Sequence, residues 1–114
     1  MDRGYRYLNK KSFLHNLEVL KNLSRKELCL VVKANAYGHG LEWAVKNAKE
    51  SGIKWFAVAS VDEGIQVKKV YEESRVLLLA EPSKSQLEKI KETESELTVY
   101  NESFIDTLIE TRDE

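Results

Sequence analysis

A lysine stands directly behind an apolar run. Cys29-Leu30-Val31-Val32 is followed by Lys33, then by Ala34-Asn35-Ala36-Tyr37-Gly38-His39-Gly40. An amine at a strand end is partly desolvated, and desolvation favours the neutral form of a lysine. Only the neutral amine attacks a carbonyl, so a lysine held this way suits Schiff-base chemistry. The plain alternative is a lysine that runs its stem along the protein and leaves its ammonium in water. The spacing alone leaves both open. Tyr37, four residues on, carries a phenol that can donate to a phosphate oxygen or pack at the rim of a helix. Gly38 and Gly40 fit a loop whose backbone must turn sharply into the next helix.

These residues need elements to hold them. The unbroken apolar run reads as a strand covered on both faces in a parallel sheet. Before it, Asn9 can cap a helix from Lys10 to about Asn22–Ser24, with Phe13, Leu14, Leu17 and Leu20 on its inner stripe. After the loop, Leu41, Ala44, Val45 and Ala48 mark one helical face, and Gly52 stands where a C-terminal glycine belongs. Trp55 to Ala59 reads as the second strand. Ser60 and Glu63 form a capping-box pair that opens a helix carrying Ile65, Val67, Val70 and Tyr71. Val76 to Leu79 is the third strand, Pro82 closes its turn, and Ser83 or Ser85 caps the next helix. Leu97 to Tyr100 is the fourth strand, followed by a helix from Asn101 with Phe104, Ile105, Leu108 and Ile109 inward. Tyr5 to Leu8 alternates weakly, as a short strand would.

Strand centres about 20 to 26 residues apart give an α/β chain of parallel strand–helix repeats. Four such units fit either a small open sheet or half of an eight-stranded barrel, which needs about 250 residues to close. The pattern does not choose.

The run Val31-Val32-Lys33-Ala34-Asn35-Ala36-Tyr37-Gly38-His39-Gly40 resembles the pyridoxal-phosphate attachment motif of the alanine racemases. Leu14-His15-Asn16-Leu17 is similar to that family's first-helix signature. Trp55 to Gly64 is similar to its second strand and following turn. The resemblance implies the half barrel: residues 1–114 would be the N-terminal half of a pyridoxal-phosphate-binding (β/α)8 barrel, without the rest of the barrel or a C-terminal β domain. It implies that Lys33 carries the cofactor as a Schiff base and acts as a catalytic base on one face of the substrate, and that Tyr37 contacts the cofactor phosphate. Leu77 and Leu79 match positions that flank the cofactor ring, and Val31, two residues before Lys33 and on the same side of the strand, would pack near it, though filling of a barrel interior explains all three as well. It also implies a homodimer whose partner tyrosine serves the opposite face, alanine as substrate, and D-alanine for peptidoglycan. A racemase of serine or lysine, a non-catalytic cofactor carrier and an inactive fold fragment are the alternatives. The family's other cofactor contacts have no counterpart within these residues, so this chain by itself is expected not to racemise alanine.

Composition narrows the rest. The chain has 114 residues, enough for one domain, and 42% are apolar, enough for a core. Its 18 basic and 19 acidic side chains nearly cancel, which removes the electrostatic case for nucleic acid or an anionic membrane. No apolar run approaches the roughly 20 residues that span a bilayer. Lone Cys29 excludes an internal disulfide, suits a cytoplasmic setting and reads as a small packing residue. His39 reads as ordering the loop and His15 as a helix residue. Trp43 and Trp55 read as packing, and no ligand set has metal spacing. An open half barrel would expose two sheet edges, so association or partial disorder is expected of the isolated chain.

Overall fold

A computed structural model describes residues 5 and 7–111. Helix α1 (Lys10–Ser24) begins where Asn9 Oδ1 accepts the Ser12 N–H at 3.0 Å, and it ends at Arg25, whose φ of 53° breaks the helix. The chain then alternates: β1 (Cys29–Val31), α2 (Lys33–Tyr37), α3 (Leu41–Glu50), β2 (Trp55–Val58), α4 (Val61–Val70) and β3 (Arg75–Leu78). A 3-10 turn (Lys84–Gln86) leads into α5 (Leu87–Thr93), β4 (Glu96–Leu97) and α6 (Glu102–Thr111). Ser60–Glu63 forms a reciprocal capping box, and at Ser83–Gln86 the Ser83 N–H donates to Gln86 Oε1 at 3.2 Å, which explains why the chain turns helical just after each serine.

All strands are parallel and lie in the order β1-β2-β3-β4. A doubly wound sheet reverses its order at an inner strand, whereas a barrel lays strands down in sequence. The burial pattern agrees with the barrel. Val32, Phe56, Val58, Val76 and Leu78 point toward the helices and are almost wholly buried, with Val45, Ala48 and Val67 among their partners. Burying each such side chain stabilises the fold by about 1.5–3 kcal/mol. The alternate residues face the other way: Val31 is 37% exposed and Leu79 38%, and only the small Ala57, between Val31 and Leu77, is buried there. The sheet is therefore an arc with one covered and one open face.

Several local expectations are corrected, the first by that one-sided cover. The first strand is not covered on both faces: Cys29 and Leu30 are half-buried and Val31 is exposed. Leu20 lies off the inner stripe of α1 and is 51% exposed, and Ile105 and Ile109 of α6 are exposed while Phe104 alone is buried. The fourth strand is the pair Glu96–Leu97 rather than Leu97 to Tyr100; its ladder extends only to Thr98, whose N–H donates to Leu78 O at 3.2 Å. Tyr5, Tyr7 and Leu8 form no strand, and Arg6 lies outside the described residues.

Candidate active site

The strand β1 ends abruptly. Val32 N–H still donates to Ala57 O at 2.9 Å, but its backbone (φ −119°, ψ 18°) has left the extended region. The backbone beyond Lys33 is unusual. Ala34, Asn35, Ala36 and Tyr37 all have φ between 52° and 56°, one turn of left-handed helix built without glycine. Such a conformation costs roughly 1–2 kcal/mol per residue with a β-carbon. Strain of this kind persists only where surrounding bonds over-determine it.

The bonds are present. Ala36 N–H donates to Val32 O at 2.8 Å and Gly40 N–H to Asn35 O at 2.8 Å. Asn35 Oδ1 accepts the Leu41 N–H at 2.8 Å, capping α3, whose own N-cap Gly40 has no side chain to do so. Gly38 (φ 92°) and Gly40 (φ 94°) carry the chain out of the turn through conformations that favour glycine. His39 Nδ1 lies 3.1 Å from Ala36 O and its ring stacks on Trp43, which packs in turn against Phe13 at 5.0 Å. The histidine thus orders the loop, and His15 lies exposed on α1.

Glu63 reaches the same loop from the next unit. Its Oε1 accepts the Ala59 N–H at 2.8 Å and the Ser60 N–H at 3.2 Å, while Oε2 accepts the Ala34 N–H at 2.9 Å. One carboxylate joins the two loops at the C-terminal ends of β1 and β2, the rim where strand–helix barrels carry their sites. The capping-box spacing predicts the bond to Ser60. It gives no sign of the third, because Ala34 is 29 residues away.

Lys33 sits at this rim, half-buried, and no described residue forms a hydrogen bond or ion pair with its ammonium. Tyr37, the last residue of the left-handed turn, is 63% exposed. Tyr37 and Val31 share the lining of a cavity of about 220 Å³ with Phe13, Leu30 and His39, at the free edge of β1. Leu77 lies across the open face from Val31, two strands away through Ala57, so about 10 Å separates their backbones. Leu79 comes just after the end of β3 at the upper rim, its N–H donating to Val58 O at 2.8 Å. The sequence candidates therefore lie along one rim and one face, with Lys33, Tyr37 and Val31 grouped at β1 and the two leucines on β3.

The opposite end of the open face is polar. Arg75 Nε donates to Glu96 Oε1 at 2.7 Å and the guanidinium lies 4.1 Å from the centre of the Trp55 ring. Cys29 is half-buried there rather than packed into the core; burial pushes its thiol pKa up, and the Glu96 charge adds to the rise. Among the described residues no group of three His, Cys, Asp or Glu is arranged to hold a metal ion. No described helix is long and apolar enough to cross a membrane.

Comparison with known proteins agrees with this geometry. An amino-acid racemase of Enterococcus faecalis is 35% identical over 106 residues, covering 91% of this chain and 15% of that protein. An alanine racemase of Campylobacter curvus is 39% identical over 72 residues, 61% of this chain and 21% of that protein. The crystal structure of alanine racemase from Oenococcus oeni superimposes with a TM-score of 0.80 at 30% identity, over 90% of this chain and 30% of that one. The chain thus spans less than a third of each of these relatives. The family described as "Alanine racemase, N-terminal domain" matches residues 8–114, and the chain belongs to that family.

Proposed function

We propose that residues 1–114 form the N-terminal part of a pyridoxal-phosphate-binding barrel in an amino-acid racemase that interconverts L- and D-alanine. The observation that carries this reading is Lys33: an amine without an ionic partner among the described residues, half-buried behind the first strand of a chain from this family. The rim suits the cofactor. Lys33 offers a primary amine for the aldehyde, exposed Val31 and Leu79 offer apolar surface for the ring with Leu77 beneath, and Tyr37 offers a phenol for the phosphate.

Bound pyridoxal phosphate supplies the electron sink that makes an amino acid's Cα–H acidic. Lys33 would hold the group through its side-chain amine, and that amine, when free, would take or return a proton on one face of Cα. Tyr37 would anchor the phosphate end, and the turn Ala34–Tyr37 sets where its phenol stands relative to Lys33. Inversion needs a second group on the opposite face, which a homodimer partner supplies. One amine serves only one face, so we infer that this chain alone does not racemise alanine. D-alanine formation by the pure chain, abolished by Lys33→Ala, would overturn that. In the whole enzyme the product would supply peptidoglycan precursors in the cytoplasm. The Enterococcus relative's name, an amino-acid racemase, favours a second reading in which the substrate range extends beyond alanine.

The test is to mix the purified chain with pyridoxal phosphate, record its absorbance, reduce with borohydride and map the adducts by mass. A reduced adduct concentrated on Lys33 supports the reading. Adducts spread evenly over the lysines would sink it for this chain.

A further inference from the structure

Lys33 is pinned on both sides by the second strand–helix unit. On its N-terminal side the Val32 N–H is bonded to Ala57 O; on its C-terminal side the Ala34 N–H is bonded to Glu63 Oε2 at 2.9 Å. The first bond is an ordinary continuation of the parallel ladder. The second is not, because a capping box needs only the bond back to its own N-cap, Ser60. Oε1 makes that bond and a further one to Ala59, and these two N–H groups fix the carboxylate's direction. Oε2 is then presented, already oriented, to a peptide on a different loop.

The bonded peptide is the one joining Lys33 to Ala34, the residue at which the backbone turns left-handed (φ 52°, ψ 46°). Left without an acceptor, that N–H would be free to swing, and the Lys33 Cα–Cβ direction would swing with it. We propose that Glu63 is a positioning residue for the Lys33 amine, clamping the Lys33–Ala34 peptide to the β2–α4 turn so that the amine projects in one fixed direction from the rim. The role rests on the reading of Lys33 as the cofactor-bearing amine, and it assigns to Glu63 a task beyond capping α4.

The chemistry of glutamine separates the two tasks. A glutamine keeps one carbonyl oxygen and still completes a capping box, but its amide nitrogen faces the Ala34 N–H donor to donor. Ser60→Ala does the opposite: it removes the hydroxyl that accepts the Glu63 N–H at 3.2 Å and leaves all three carboxylate bonds in place.

The experiment compares the parent chain, Glu63→Gln and Ser60→Ala by thermal melting, by amide hydrogen exchange at Ala34, and by the share of borohydride-reduced pyridoxal-phosphate adduct on Lys33. For Glu63→Gln the expected result is at least about tenfold faster exchange at Ala34 and a severalfold lower Lys33 share, with labelling of the other lysines unchanged and melting close to the parent. Ser60→Ala is expected to melt lower and keep the parent's Lys33 share. A parent-like share in Glu63→Gln overturns the proposal alone. So does a fall in Ser60→Ala that matches the fall in Glu63→Gln, since helix capping would then account for both. A parent chain with no Lys33 preference overturns the cofactor reading and this proposal with it, and the exchange at Ala34 reports separately whether Glu63 holds the peptide.

Discussion

Asn35 and Leu41 are joined by a bond that links two otherwise separate events, the left-handed turn and the start of α3. The Asn35 Oδ1 accepts the Leu41 N–H at 2.8 Å, so the turn cannot unwind without uncapping the helix behind it. Replacing a capping side chain by alanine costs about 1 kcal/mol, and asparagine tolerates positive φ better than alanine does. Asn35→Ala is therefore expected to lower unfolding stability in urea by about 1 kcal/mol or somewhat more. Asn35→Asp retains the acceptor and should stay near the parent. Equal losses in both variants would show that the bond is not the reason.

The turn itself predicts substitutions of opposite sign. Gly38 has φ 92° and a β-carbon there would meet nothing within 4 Å, so Gly38→Ala carries a backbone penalty without a clash. The expected loss is about 1 kcal/mol. Ala34 is exposed with φ 52°, and there the natural residue already bears the penalty. Ala34→Gly should raise stability, by up to about 1 kcal/mol after allowing for the freer unfolded chain. Urea midpoints of the pair check this: a fall in both would mean that the turn is not left-handed in solution.

Much of this arrangement is legible in the amino-acid order, and the reasons for the rest are physical. The capping box, the parallel strands and the buried helix faces come from short-range patterns: Ser60 with Glu63, Leu41 with Ala44 and Val45. The barrel-like order of the strands is not in the pattern, since β1-β2-β3-β4 and a wound order share the same alternation. The exposure of Val31, Leu20 and Ile109 is likewise hidden, because periodicity reports which residues share a face and not what covers it. Lys33 and Tyr37 stand out through their motif. The Glu63 carboxylate is recognisable as a cap, but its bond to Ala34 depends on β1 and β2 lying side by side. The left-handed turn is least legible of all, since alanines and a tyrosine carry no local preference for positive φ.

The packing of α1 against α3, which braces the Lys33 loop through Phe13 and Trp43, has a pH-dependent fastening at its other end. Glu18 Oε1 accepts from Lys21 Nζ at 3.1 Å and from Ser51 Oγ at 3.0 Å, and Lys21 also donates to Ser51 O at 2.6 Å. These contacts hold the Glu18 carboxyl below the usual carboxylate range, the Lys21 hydrogen bond most, then the Ser51 hydrogen bond, then the Lys21 charge. A depressed folded-state pKa means that the unfolded chain takes up the proton first as pH falls. The stabilisation is therefore complete above the ordinary glutamate pKa and disappears as pH falls through the lower, folded-state value. Glu18→Gln removes the titrating group and leaves the shape. Melting curves of parent and variant should differ at neutral pH, with the parent higher, and converge as the solution is acidified past the carboxylate range. The comparison cancels the titration of the other carboxylates, and added salt should shrink the neutral-pH difference because the pair is exposed. A gap that stays constant down to the lowest pH would assign the stabilisation to something other than the Glu18 charge.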